Sequence, residues 1–205
     1  MIDAKILPLQ KAALQPIAVF LADRRLRADQ ISLLGFLAGI GAFVALCFGA
    51  WLVALLLILM NRVFDGLDGA VARILGPTER GAYLDIALDM VFYALIPLGF
   101  AVAMPEVNAL PAAVLIVSFV GTGSSFLAFS AVAAKRGRAA PDFPTKGIYY
   151  VGGLAEGAET IAVFVVMCLY PGSFALIAYG FAALCGLTTV IRWRQGWVAF
   201  SGDDG

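Results

Sequence analysis

The 205-residue chain is predicted to be an all-α membrane protein: six transmembrane helices preceded by an interfacial amphipathic helix. Three observations carry that expectation. The mean hydropathy is +0.94, and 62% of the residues are hydrophobic. Charged residues make up 14%, well below the roughly 25% of a soluble domain. Six apolar stretches, each close to the ~20 residues needed to cross the hydrocarbon core, follow one another with short polar breaks.

The first element is Ile6 to Arg27, where Leu9, Ala13, Ile17, Phe20 and Leu21 fall roughly on one helical face. Lys5, Lys11, Arg24, Arg25 and Arg27 provide the cations that suit a helix lying on anionic lipid. The opening "MIDAKILPLQ" lacks the basic start, apolar core and cleavage site of a signal peptide. The spans expected next are 31–49, 51–74, 82–104, 109–134, 148–170 and 172–191. They are separated by "GAW", "GPTERG", "MPEVNA", "KRGRAAPDFPTKG" and "YPG". Residues 1–30 thus form the interfacial segment, 31–195 the six-span domain, and 196–205, ending in "SGDDG", a disordered tail. No internal repeat and no separate soluble domain is visible.

Sorting the basic residues by loop sets the orientation. Lys5 to Arg27 precede the first span, Arg80 follows the second, Lys135, Arg136, Arg138 and Lys146 follow the fourth, and Arg192 and Arg194 follow the sixth. "MPEVNA" and "YPG" contain no Lys or Arg. By the positive-inside rule, both termini are cytoplasmic and the chain sits in the cell's inner membrane. The net charge is zero, and no nucleic-acid partner is expected.

Against this apolar background "NRVFDGLDGAVAR", residues 61–73, is out of place, as is "LDIALD" twelve residues later. A charge near the bilayer centre costs about 2.5–3.5 kcal/mol on insertion scales, so buried acids are functional candidates. Asp65 and Asp68 are spaced i, i+3, and Asp85 and Asp89 i, i+4, so each pair shares a helical face. The short break between their helices makes the two antiparallel neighbours, with all four carboxylates at one depth near the cytoplasmic mouth. A divalent cation relieves the repulsion among them. Oxygen donors suit Mg²⁺, Mn²⁺ or Ca²⁺, and the chain has no His at all. Cys47, Cys168 and Cys185 lie in apolar runs at unrelated spacings and read as buried small hydrophobes. Four carboxylates are enough for a pair of ions that clamp attacking and leaving oxygens in phosphoryl chemistry.

Gly66, Gly69, Ala70 and Ala72 leave one face of the second span nearly bare. Close helix packing is one reason for such a face; room for a ligand beside Arg73 is the other.

The stretch from Asp65 to Asp89 resembles the signature of the CDP-alcohol phosphotransferases, D-x2-D-G-x2-A-R-x8-G-x3-D-x3-D. Here it reads Asp65, Asp68, Gly69, Ala72, Arg73, Gly81, Asp85 and Asp89, with seven residues between Arg73 and Gly81. Upstream, "RADQISLLGF" is similar to the family's PNxxTxxG-type start of the first span, with Asp29 for Asn and Ser32 for Thr. The resemblance implies transfer of a phosphatidyl group from CDP-diacylglycerol to an alcohol, with release of CMP. It implies that Asp65, Asp68 and Asp85 bind two Mg²⁺ or Mn²⁺ ions, and that Asp89 contacts a metal and serves as general base. Gly69, Ala72 and Gly81 would leave room for cytidine, Arg73 would hold phosphate, and Asp29 and Ser32 would touch the nucleotide. A homodimer is inherited from the same source. The acceptor is expected to be glycerol 3-phosphate, with serine and inositol phosphate open.

For a phosphorylated acceptor the candidate cations are Lys135, Arg138, Lys146 and Arg192; the same residues also satisfy topology and hold anionic head groups. Glu156 and Glu159, i, i+3 in the fifth span, read equally as lining of an acceptor pocket, as partners of Arg62 or Lys146, or as an interhelical hydrogen bond. Two other classes use buried acids. Intramembrane prenyltransferases begin an Asp-rich segment N-D-x-x-D, where this chain has Arg62 after Asn61. Cation transporters commonly contain inverted repeats, which are not found.

Overall fold

A computed structural model describes residues 3–135 and 154–201. Among them no strand occurs; the elements are helices α1 Asp3–Asp23, α2 Ala28–Cys47, α3 Trp51–Leu75, α4 Glu79–Ala103, α5 Pro105–Lys135, α6 Gly157–Leu169 and α7 Phe174–Phe200. A single 3-10 turn, Pro171–Ser173, leads into α7.

Among the described residues four helical segments are long and apolar enough to cross a membrane: α2, α4, α5 and α7 with its preceding turn. Their outward faces are covered with exposed Leu, Val and Ile such as Leu37, Val102, Leu110 and Leu176, as lipid contact requires. Helix α3 has the length, at 25 residues, but Arg62, Asp65, Asp68 and Arg73 interrupt its second half. Helix α6 has 13 residues, short of a full crossing. The span expected over 148–170 is therefore helical from Gly157 onward, and its first residues lie outside those described.

Helix α2 is the hub, packing against both α3 and α4. Two glycines permit this. A Cβ on Gly35 would lie 2.9 Å from Phe64 Cβ of α3, and one on Gly99 of α4 would lie 2.6 Å from Leu46 Cβ of α2. Both are below any real Cβ contact, so only a bare backbone lets these helices approach so closely. Helices α3 and α4 lean on α2 more than on each other, so the expected antiparallel neighbours stand apart with a cleft between them. Helix α5 packs on α4 and α7, and α6 sits on α3.

The larger buried core begins beneath Arg62 at Phe92 and is built mainly from α2, α3, α4, α6 and α7. Phe92, Ile96, Phe100, Leu115, Phe164, Met167 and Phe174 are fully buried there. Phe100 stacks on Trp51 at 5.2 Å and on Phe174 at 4.5 Å, tying α3, α4 and α7 together.

Helix α1 packs on α3. Ala18 and Ala22 are buried, with Leu14 and Leu21 half-buried, while Ala13, Ile17 and Phe20 are exposed. Ala18, with Leu14 and Leu21 beside it, packs against Leu67, Ala70 and Val71 of α3. Helix α7 also runs through Phe200, beyond the point where a tail was expected. Phe200 packs on Phe129 of α5 at 5.0 Å, which continues the helix past Gly196.

Candidate functional site

The cleft between α3 and α4 is floored by α2. Ser32, Gly35 and Phe36 contribute from α2, Asn61, Arg62, Asp65 and Asp68 from α3, and Asp85, Leu88 and Asp89 from α4. The turn that brings the two acidic helices together is local chemistry. Helix α3 ends at Gly76, whose φ of +97° suits a residue without Cβ, and Pro77 prevents continuation. Thr78 then caps α4, its hydroxyl accepting the Gly81 amide at 3.0 Å.

All four acids line the cleft, but they are not equivalent. Carboxylate oxygens of Asp65, Asp68 and Asp85 lie within 4.8 Å of one another, and among the described residues this is the one cluster with the makings of a metal site. Asp68 is buried, and the Ser32 hydroxyl lies 2.5 Å from its Oδ2. Asp89 stands outside the group of three. Its Oδ1 accepts from Arg62 Nη2 at 2.7 Å, and Arg62 Nη1 lies 3.6 Å from Asp65 Oδ2. Four acids against one guanidinium leave the cleft strongly negative, and three converging carboxylates offer the hard oxygen set that Mg²⁺ or Mn²⁺ prefers. The residues fit a divalent ion.

The remaining motif residues surround this centre. Arg73 is exposed and its Nη1 lies 3.5 Å from where a Gly69 Cβ would be; among the described residues no neighbouring helix comes within 4 Å of that position. At Gly69, therefore, the bare face is not a packing surface. Ala70 one residue on is, being buried in the α1 contact. Ala72 is half-buried. Asp29, at the start of α2, is bound by Arg80 of α4 and by Arg27 at 3.2 Å. A Cβ on Gly81 would lie 3.2 Å from Asp29 Oδ1, so these two expected nucleotide residues are neighbours. Ser32 lines the cleft, its hydroxyl donating to Asp68 Oδ2 and lying 3.1 Å from the Ala28 carbonyl.

The acceptor candidates are dispersed. Arg192 is buried between α7 and α5, donating Nη1 to the Thr122 carbonyl at 3.0 Å and lying 5.7 Å over the Phe126 ring. It is not among the residues lining the cleft. Lys135 is exposed at the end of α5, while Arg138 and Lys146 lie outside the described residues. Glu156 caps α6 and Glu159 is in its first turn, whereas Arg62 turns to Asp89 and Asp65. The backbone just before Glu156 is pinned to α7, where Thr188 Oγ1 accepts the Leu154 and Ala155 amides.

Arg62 and Asn61 belong to the site although the motif pattern does not contain them. Arg62 Nε donates to Asn61 Oδ1 at 2.7 Å, and Asn61 Nδ2 donates to the Gly35 carbonyl at 2.8 Å. The signal was available in the spacing: Arg62 is three residues before Asp65, on the same helical face.

Comparison with known proteins agrees with this geometry. The family model described as CDP-alcohol phosphatidyltransferase matches residues 25–191. The inner membrane protein YnjF of Escherichia coli is 46% identical, over 97% of this chain and 96% of its own length. The archaetidylinositol phosphate synthase of Methanothermobacter thermautotrophicus is 30% identical, over 77% of this chain and 72% of its own. Among solved structures, the phosphatidylinositol phosphate synthase PgsA1 of Mycobacterium tuberculosis with CDP-DAG bound has the same fold, with a TM-score of 0.71 and 22% identity over 90% of this chain and 93% of that one. The same enzyme in complex with manganese and citrate superposes with a TM-score of 0.70, at 23% identity over 90% of this chain and 88% of that one.

Proposed function

The chain belongs to the CDP-alcohol phosphatidyltransferase family, and from that premise we propose that it transfers a phosphatidyl group from CDP-diacylglycerol to a phosphorylated, water-soluble alcohol, releasing CMP. Family membership sets aside the prenyltransferase and the cation transporter. The observation that carries the reading is the convergence of Asp65, Asp68 and Asp85 within 4.8 Å, beside an Asp89 held separately.

Asp65, Asp68 and Asp85 would hold two divalent ions, Mg²⁺ or Mn²⁺, which when bound neutralise the diphosphate and stabilise its leaving oxygen. The manganese complex of the structural neighbour supports this choice. Asp89 would contact one of these ions and accept the proton of the acceptor hydroxyl. The acceptor oxygen then bonds to the phosphorus carrying diacylglycerol, the bond from that phosphorus to the bridging oxygen breaks, and CMP leaves with the electron pair. Arg73 binds phosphate over the open face at Gly69, and Ala72 and Gly81 leave space for cytidine. Asp29 lies at the cytidine side, held in place by Arg27 and Arg80.

For the acceptor, an inositol phosphate takes precedence over the glycerol 3-phosphate expected from sequence, because a relative at 30% identity is named for that product class. Arg192, with Lys135, Arg138 and Lys146, supplies cations for its phosphate. Helices α3 and α6 complete six spans, α1 lies at the interface, and both termini and the cleft face the cytoplasm of a cell whose inner membrane holds the protein as a homodimer. The name of the YnjF relative supports that membrane.

The test is CMP release by purified protein from CDP-diacylglycerol with Mn²⁺ or Mg²⁺, across inositol phosphate, glycerol 3-phosphate, serine and free inositol. Turnover restricted to one phosphorylated acceptor is expected. No CMP from any of them, with CDP-diacylglycerol unbound, refutes the reading.

A further inference from the structure

A single turn of α7, Thr188 to Arg192, is locked on both of its sides. On one side Arg192 Nη1 donates to the Thr122 carbonyl of α5 at 3.0 Å, and its guanidinium lies 5.7 Å over the Phe126 ring. Thr189 approaches the same helix as closely: a Cβ on Gly121 would lie 3.0 Å from its Oγ1. On the other side stands Thr188, fully buried. Its Oγ1 accepts the Leu154 amide at 3.2 Å and the Ala155 amide at 3.1 Å, and donates to the Leu184 carbonyl at 3.0 Å. A hydroxyl has one donor and two acceptor positions, and Thr188 uses all three.

Leu154 and Ala155 lead directly into α6 at Gly157. They precede its N-cap, Glu156, so no carbonyl of that helix lies behind them to accept their amides. Buried amides left unpaired are costly, and a side chain of α7 accepts both. Arg192 leaves α7 one turn beyond Thr188, from the same face. The junction into α6 and the guanidinium therefore take one short stretch of α7 as their common reference. A guanidinium meets phosphate through a fork of fixed geometry, so an error in its setting loses a hydrogen bond.

We propose that Thr188 is a positioning residue for the acceptor: by tying the backbone ahead of α6 to the turn of α7 that carries Arg192, it fixes the guanidinium between α5 and α6 and so sets the affinity for the acceptor's phosphate, with no part in holding CDP-diacylglycerol. This rests on the reading of Arg192 as a ligand of that phosphate.

The full chain in nanodiscs is compared as wild type, Thr188→Val, Thr188→Ser, Thr188→Cys and Arg192→Gln. Amide hydrogen exchange at Leu154 and Ala155 reads the fastening itself. CMP release with inositol phosphate and with glycerol 3-phosphate, each substrate varied in turn, reads its consequence. Thr188→Val keeps the shape and removes the hydroxyl, so both amides exchange faster. In that variant KM for the phosphorylated acceptor rises roughly 10–100-fold, the scale of a small misplacement, while kcat and KM for CDP-diacylglycerol change little. Thr188→Ser returns both readouts to those of wild type. Thr188→Cys offers a weaker acceptor in a similar volume and falls between them, and it carries the test should the Val variant not fold. Faster exchange in the Val or Cys variant with an unchanged acceptor KM overturns the proposal. So does a loss spread equally over both substrates, or a Ser variant that rescues neither readout. A raised acceptor KM in Arg192→Gln beside an unmoved Thr188→Val overturns the proposal alone. An Arg192→Gln variant with the acceptor KM of wild type, or a wild type that releases no CMP with either phosphorylated acceptor, overturns the functional reading and the proposal with it.

Discussion

The Ser32 hydroxyl of α2 lies 2.5 Å from Oδ2 of Asp68 on α3, so the most buried acid of the site is oriented by a different helix from its own. A carboxylate with one oxygen held in this way presents the other in a fixed direction. Ser32→Ala is expected to lower Mn²⁺ affinity by about 10–100-fold, the usual effect of removing a group that orients a ligand, while Ser32→Thr retains most of it. Mn²⁺ titration of the two variants checks this. An Ala variant as tight as wild type means that the hydroxyl orients nothing.

Asp85 and Asp89 are neighbours on α4 with different surroundings, and their Asn variants are expected to separate binding from turnover. Asp85→Asn removes one of three converging oxygens and is expected to lose both Mn²⁺ binding and CMP release. Asp89→Asn leaves the three converging acids intact; Mn²⁺ binding weakens but persists while CMP release falls by ~10²–10⁴-fold, as for loss of a general base. An equal loss of binding in both variants would make Asp89 as strong a ligand as Asp85.

Removal of divalent ions is expected to stop CMP release and to lower thermal stability, since the cleft then holds four acids against Arg62 alone. Dialysis against a chelator followed by stepwise return of Mn²⁺ or Mg²⁺ should restore both together. Full activity in the chelated protein is the result that contradicts a metal-dependent site.

Gly69 and Gly99 are expected to fail in opposite ways. Gly69→Val adds its bulk to the open face beside Arg73, so KM for CDP-diacylglycerol rises while the melting temperature holds. Gly99→Val drives a side chain into Leu46 and the Phe43 carbonyl on α2, and costs about 1–3 kcal/mol, the scale of overpacking. Melting curves and KM measured on the same preparations distinguish them.

Much of this protein is readable in one dimension because the bilayer imposes simple rules. Apolar runs of fixed length mark α2, α4, α5 and α7, and acids at i, i+3 and i, i+4 mark the faces that carry chemistry, since a charge in hydrocarbon must have a reason to be there. Spacing could not say which acids would touch. Asp89 lies about one helical turn from Asp85, as Asp68 does from Asp65, yet Asp65 and Asp68 share the cluster with Asp85 and Asp89 does not. That division depends on Arg62 crossing from α3 to α4, which in turn depends on how far apart those helices stand. The separation is set by α2, against which Gly35 of α2 and Gly99 of α4 let the neighbouring helices reach contact distances that no side chain would allow. The sequence by itself determined the composition of the site and the helices that bear it. Which carboxylate binds with which partner was decided by helix–helix distance, because a hydrogen bond is made or lost within an ångström and no periodicity resolves so small a length.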